Sequence, residues 1–333
     1  VILWSTEMPI THDATALSVP DNDALRFLPE GPIPLPVEGW LSWVGIQHGP
    51  AATFGSINLL DLSTGTNRSF DLPGRPGFAF ACDGSTPGEL PTRFVAGVER
   101  SLGIFDTTDG SWSPFCDSID ADVENTIIND GVIWQDNLIF GTKDLEFSAQ
   151  KAGLYLYRGR DQTLIRLRDD QVCSNGKMVF TDESGRLKLI DIDTPTKTIV
   201  QYDLDVDAGT LSNRQIVVDL TEDDGFPDGA ILTPDGTGVV VSIYLPDPAE
   251  YGQTRCYDRA TGRLRCVWRT PKSPQNTCPA WVSHHGKIQL VITTAVENMS
   301  AENRAKSTAA GQIFIADTDF DANEKIPIPV WGL

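Results

Sequence analysis

Short runs of β-branched and aromatic residues, each bounded by Gly, Pro or Asp, set the texture of this chain. Val239-Val240-Val241-Ser242-Ile243-Tyr244, Leu290-Val291-Ile292-Thr293-Thr294 and Gln312-Ile313-Phe314-Ile315-Ala316 have the length and composition of strands. Between such runs stand turn signals: Pro234-Asp235-Gly236, Thr64-Gly65, Thr261-Gly262, Asp109-Gly110 and Ser184-Gly185. The alternation predicts meandering antiparallel strands almost throughout. Helical periodicity is scarce. Residues 297–310, rich in Ala, Glu, Lys and Arg but poor in apolar anchors, are the best candidate for a helical or irregular excursion, expected to lie over one face.

A longer period overlies the strands. Glu30-Gly31-Pro32, Asn129-Asp130-Gly131, Ser174-Asn175-Gly176 and Pro227-Asp228-Gly229 recur at 99 residues from Glu30 to Asn129, 46 from Asn129 to Asn175 and 53 from Asn175 to Asp228. These are close to two, one and one times a repeat of roughly 50 residues, the scale of a propeller blade. Cutting at that phase gives six units, opening near Glu30, Gly77, Asn129, Asn175, Asp228 and Gln275. The reading is an all-β, six-bladed β-propeller: four-stranded antiparallel blades around a central channel, as one domain over residues 1–333. The last unit lacks an outer strand. Residues 24–29 have strand character and are expected to supply it, closing the ring and removing an exposed edge, with residues 1–23 as an N-terminal extension.

Composition narrows the function classes. The chain carries 46 acidic and 26 basic side chains in 333 residues, a formal net charge of -20, and such a field repels nucleic acid and anionic lipid. No apolar run reaches the ~20 residues of a membrane span. The expected partner is a small molecule, with neither nucleic acid nor membrane involved, and the chain is read as a monomer or weak oligomer. Its six cysteines show no CxxC and no zinc-finger spacing, so free thiols in a reducing, cytoplasmic setting are expected. Cys256 and Cys266 flank a turn and form the one pair worth testing for a disulfide. Secretion stays open, since the sequence starts at Val1 rather than Met.

The repeat gives the motifs chemical meaning. If each unit presents the start of its inner strand to one channel, Glu30, Asn175 and Asp228 meet there and offer an all-oxygen site for a divalent cation. Two carboxylates balance the charge and the amide adds a neutral oxygen. Taken in order, these motifs, with Gly141-Thr142 and Leu211-Ser212-Asn213-Arg214, resemble the senescence marker protein, gluconolactonase and luciferin-regenerating enzyme family over nearly the whole chain. The resemblance implies a six-bladed propeller that hydrolyses lactones, most often sugar lactones, with one divalent cation near the mouth of the channel. Calcium is favoured, with zinc, magnesium or manganese as alternatives.

Carried over by position, the resemblance makes Glu30, Asn175 and Asp228 the metal ligands. Asn129 becomes a contact to substrate or bound water. Asp228 is also the catalytic residue, orienting the attacking water and accepting its proton. One position departs: sugar-lactone relatives often have Arg two residues before the Asn of Asn-Asp-Gly, where this chain has Ile127. Lys143, on the neighbouring strand, is the candidate replacement for that cation, and Glu146 matches a family substrate-contacting acid. A phosphotriester-cleaving or other hydrolase on the same propeller is an alternative reading, as is a non-catalytic metal-binding module.

Other patterns carry less. There is no Gly-x-Ser-x-Gly elbow, and His12, His48, His284 and His285 stand near no nucleophile pattern. The run Asp317-Thr318-Asp319-Phe320-Asp321 begins like a calcium loop, but Ala322 and Ile328 occupy the positions that need Gly and Glu. Asn67-Arg68-Ser69 and Asn298-Met299-Ser300 fit a glycosylation pattern too short to carry weight.

Overall fold

The computed structural model, which describes residues 8–84, 88–321 and 323–332, folds almost wholly into antiparallel strands in six sheets. Each sheet meanders outward from a first, innermost strand. These inner strands are Pro29–Pro34, Pro76–Ala81, Thr126–Trp134, Ser174–Thr181, Phe226–Leu232 and Asn276–His284, opening blades one to six. The six-bladed propeller is thus present, with its blades starting where the spacing places them. Among the described residues, no helix is long and apolar enough to cross a membrane. The excursion after the sixth blade's second strand forms one short helix, Ala301–Lys306, whose cap Ser300 accepts the Asn303 N–H at 3.1 Å.

An N-terminal strand closes the ring, but not the expected segment. Thr15–Ala16 pairs antiparallel with Phe314–Asp317 and becomes the outermost strand of blade six. Residues 23–26 form a turn instead, with the Arg26 and Phe27 N–H groups bonded to the Asn22 and Ala24 carbonyls. The segment's apolar side chains serve packing rather than a ladder: Phe27 and Leu28 are buried against blades one and two. Part of the expected extension is also sheet, since Ile10–Asp13 adds a fifth, parallel strand to the edge of blade five.

Packing between blades follows from strand alternation. On the second strand of blade five, Val239 and Val241 enter the cluster holding Ile190 and Ile192 of blade four, while Val240 faces Leu290 and Ile292 of blade six. Blade three repeats this, with Ile139 toward blade four and Leu138 and Phe140 toward blade two. Six apolar clusters result, one at each blade interface. Fourth strands such as Thr66–Asp71 and Ser111–Cys116 have largely exposed residues.

At the axis, all six inner strands break register at the same phase. The shifts fall between Glu30 and Ile33, Pro76 and Phe78, Ile128 and Gly131, Asn175 and Met178, Pro227 and Ala230, and Asn276 and Pro279. A bulge turns the strand end and re-aims its side chains. The motifs read in the sequence are these bulges. Gly31 and Gly176 hold φ of 49° and 54°, a left-handed conformation that glycine adopts without strain. Gly77 serves close approach instead: a β-carbon there would overlap the carbonyl oxygen of Asn129 on the next blade. Gly77→Ala is therefore expected to destabilise the fold by about 2–4 kcal/mol in urea unfolding. A loss under ~0.5 kcal/mol would show that the inner strands can spread at no cost.

Candidate active site

The bulges open into one cavity of about 300 Å³ at the end of the channel where the inner strands begin. Its wall is drawn from blades one and three to six: residues at the starts of the inner strands, and the ends of second strands with the loops that follow them. Glu30 of blade one, Asn129 and Lys143 of blade three, Asn175 of blade four and Asp228 of blade five all line it. Five of the six site residues chosen from sequence are brought together. Glu146 is the exception. It is exposed outside the cavity wall, accepting from Asn125 Nδ2 at 3.1 Å and facing Lys151 Nζ at 3.4 Å.

A chain of hydrogen bonds fixes the amides across three blades. Asn129 Nδ2 donates to Asn175 Oδ1 at 2.7 Å and to the Ser174 carbonyl at 3.1 Å. Asn175 Nδ2 donates to Thr194 Oγ1 at 2.9 Å, whose hydroxyl donates to the Pro227 carbonyl at 2.9 Å. Because Thr194 spends its proton on Pro227, it can only accept from Asn175, and this sets which end of the amide is oxygen. Asn129 and Asn175 are accordingly buried and immobilised.

The carboxylates are arranged unfavourably for a protein alone. Removal from water pushes the Glu30 carboxyl well above its usual range, and the charges of Asp228 and Asp130 push it further. Asp228 is likewise raised well above its ordinary value, first by desolvation, with Lys143 opposing and Asp130 and Glu297 adding repulsion. Such a group of desolvated oxygens fits a hard divalent cation, whose charge would reverse the repulsion. Among the described residues, no three His, Cys, Asp or Glu side chains form a metal-binding group. Two carboxylates and an amide oxygen, those of Glu30, Asp228 and Asn175, make up the candidate ligand set.

Lys143 is buried and sits directly across the ladder from Ile127, as its Cα partner on the adjacent strand. Partners on adjacent strands project from the same face, so the cation occupies the neighbourhood that Ile127 leaves apolar. The loop after Lys143 is pinned by Asp144, which accepts the N–H groups of Glu146, Ser148 and Ala149 at 2.9–3.0 Å and pairs with Lys151 Nζ at 3.1 Å. This loop carries Phe147 onto the cavity wall.

Sequence reasoning missed several neighbours. Asp130, in the Asn-Asp-Gly motif but given no role, is raised by burial, while Lys177 and the N–H groups of Gly131, Gly176 and Lys177 hold it down. Phe226, Tyr244, Gln275 and Glu297 also line the cavity. Gln275 was reachable from the repeat, since it opens the sixth unit. The loop residues had no such signal, because loops share no period. Other candidates lie elsewhere: Cys256 and Cys266 are Cα partners in the outer hairpin of blade five with both thiols free. His284, bonded to Gln289, ends the first strand of blade six, away from the mouth.

The fold and site define a six-bladed propeller with a carboxylate-lined, small-molecule-sized cavity on its axis. The family model for the SMP-30/gluconolactonase/LRE-like region matches residues 28–296, and the chain belongs to this family. The putative sugar lactone lactonase YvrE of Bacillus subtilis is 29% identical over 189 residues, 56% of this chain and 60% of that protein. The chain thus spans less than two thirds of the length of that relative. Regucalcin of Danio rerio is 27% identical over 228 residues, 65% of this chain and 74% of that one. A luciferin-regenerating enzyme superposes with a TM-score of 0.74 at 19% identity, covering 91% of this chain and 95% of its own. A calcium-binding protein, regucalcin, from Agrobacterium tumefaciens does so with 0.74 at 17%, covering 96% and 100%. At these identities the structural likeness shows the fold alone.

Asp144 gives this site a pH signature. Burial would raise its carboxyl, but the N–H groups of Ser148 and Glu146 and the ammonium of Lys151 hold it below the usual carboxylate range. A folded value below the unfolded one of about 3.9 means the stabilisation is full above that pH and is lost as pH falls toward the folded value. Asp144→Asn should therefore lower Tm by a constant amount between about pH 6 and 8, and the gap to wild type should narrow below about pH 4. A gap independent of pH would show that the ionised carboxylate does not hold the loop.

Proposed function

We propose that this chain is a divalent-cation-dependent hydrolase that opens a small, sugar-type lactone, acting as a single propeller domain on a free small molecule. The observation that carries this reading is the pairing of Glu30 and Asp228, two desolvated carboxyls from blades one and five, in one cavity with the Asn175 amide and the Lys143 ammonium. Family membership supports the lactone, as does the likeness to a protein named a putative sugar lactone lactonase. The solved relative described as calcium-binding supports calcium as first choice, ahead of zinc, magnesium or manganese.

Glu30, Asn175 and Asp228 would hold the cation, which when bound supplies Lewis acidity toward the lactone carbonyl and the attacking water. The remaining work falls to the chain. Asp228 orients the water and takes its proton as the oxygen bonds to the carbonyl carbon. The ring C–O bond then breaks, and the departing alkoxide recovers a proton from the same carboxyl, leaving a hydroxy acid. The Lys143 charge lowers the Asp228 pKa and so favours the ionised base, and its ammonium donates to substrate oxygens. Asn129 holds the Asn175 amide in place.

Asp228→Asn should lower turnover of D-glucono-1,5-lactone by roughly 10² or more while the fold is retained, since it removes one balancing charge and the proton acceptor. Chelation should abolish turnover and lower Tm, with both restored by added Ca²⁺. If chelation lowers Tm but the protein hydrolyses nothing on a lactone panel, the propeller is a binding module and the proposal fails. Turnover of phosphotriesters but of no lactone would move the reading to the second hydrolase class.

A further inference from the structure

Four apolar residues form an outer lip on one side of the axial cavity. Phe147, Pro195 and Pro246 are exposed and Phe226 is partly buried beside them, whereas Asn129, Lys143 and Asn175 are buried. The lip belongs to blades three, four and five: Phe147, Pro195 and Pro246 stand in the loops that follow second strands, and Phe226 opens the inner strand of blade five. Blade six faces the cavity with Glu297 and Asn298 instead. Phe147 is the least expected member. Its ring is 52% exposed, and its backbone holds φ at 48°, a left-handed conformation that a bulky side chain adopts only at a cost. The loop imposes that conformation. Asp144 accepts the N–H groups on either side, from Glu146 at 3.0 Å and Ser148 at 2.9 Å, and the Phe147 N–H is bonded to the Asp144 carbonyl at 3.1 Å. Phe226 is steadied in turn by Lys197, whose Nζ lies 4.6 Å from the ring centroid.

We propose that this lip holds an apolar arm of the substrate, with Phe147 as a specificity-determining residue. The inference rests on the lactonase reading and deepens it by naming the substrate class: a lactone whose ring carries an alkyl or aryl substituent. With the ring carbonyl at Glu30, Asn175 and Asp228, a substituent that leaves the cavity toward blades three to five passes over Phe147, Pro195, Phe226 and Pro246. Each methylene buried there raises affinity about 4-fold, so an arm of a few carbons gains ~10-fold even when covered on one side only. A ring held in place by its loop before the substrate arrives adds contact at little ordering cost. The lip is continuous with the cavity that holds the carboxylates, and this favours a substituent of the bound substrate over a partner protein as its occupant.

The test compares δ-valerolactone with δ-nonalactone, the same ring bearing a butyl chain, in wild type, Phe147→Asn and Phe147→Tyr. Asn tolerates a left-handed backbone, so the first variant removes the ring while keeping the loop, and Tyr keeps the aromatic surface. Wild type is expected to favour δ-nonalactone in kcat/KM by about 10- to 100-fold, chiefly through KM. That preference should fall about 5-fold or more in Phe147→Asn and persist in Phe147→Tyr. No preference in wild type overturns the inference, as does a preference that survives Phe147→Asn. An equal loss on both lactones would assign the ring a structural role and overturn it too. A wild-type dimer in sedimentation that Phe147→Asn dissociates would make the lip an interface between copies, with the same consequence. Calorimetric titration with 5-hydroxypentanoate and 5-hydroxynonanoate needs no turnover, and the inference requires tighter binding of the second. Equal affinities sink it. Hydrolysis of no lactone, with 5-hydroxynonanoate preferred by wild type and not by Phe147→Asn, would remove the lactonase reading while leaving the apolar lip as a binding site.

Discussion

The close approach of six inner strands at the axis is the constraint on which the rest of this molecule depends. Strands that met there with regular side chains would collide, so each is bulged at the same phase and glycine stands where a neighbour's backbone comes nearest, as Gly77 does against Asn129. The bulge that relieves crowding also turns the residue at its start toward the opening. Glu30, Asn129, Asn175 and Asp228 reach one cavity for that reason, although nearly 200 residues separate the first from the last. The apolar clusters between blades then hold the geometry, since each middle strand is committed to both of its neighbours.

Such convergence has an electrostatic cost that the fold itself does not offset. Burial raises all three carboxyls of Glu30, Asp130 and Asp228; Asp228 and Asp130 raise Glu30 further, and Asp130 and Glu297 raise Asp228, with Lys143 opposing at Glu30 and Asp228 and Lys177 at Asp130. The net charge of -20 has little part in this. Surface charges more than ~10 Å away are screened by salt, whereas neighbours in the low-dielectric cavity are not. A bound proton or a bound cation can offset such repulsion, and the proposed function assigns that part to a divalent cation.

The fold was legible because it is periodic at two scales. Alternation within Val239-Val240-Val241 encodes the two faces of a sandwiched strand, and the spacing of the bulge motifs encodes the ring. The candidate site was legible to the extent that it shares that second period, which is why the four bulge residues line one cavity and Glu146 lies outside its wall. Glu146 lies beyond the strand end, in a loop whose path is set by Asp144 accepting three backbone N–H groups, and no repeat foretells such a path. The closing strand escaped for a related reason. Ala24-Leu25-Arg26-Phe27-Leu28 is as apolar as a strand, yet burial of Phe27 and Leu28 against blades one and two, and of Leu25 between blades six and one, satisfies that pattern without a ladder.

In the proposed function Lys143 would keep a cation at the site although the sequence motif changes. The ladder pairs it with Ile127, so moving a cation from one partner to the other shifts its origin by a single strand spacing, about 5 Å. A long side chain absorbs that shift. What changes is the geometry of recognition: a guanidinium fork grips two oxygens in one plane, while an ammonium is a point charge that can rotate its three donors. Orientation of a substrate then has to come from elsewhere on the wall. The rigid amide of Asn129 qualifies, since it is locked by its own hydrogen bonds before any ligand arrives. In the proposed reaction the Lys143 ammonium would supply attraction and the fixed amide direction, a division that one bidentate arginine would combine in a single residue.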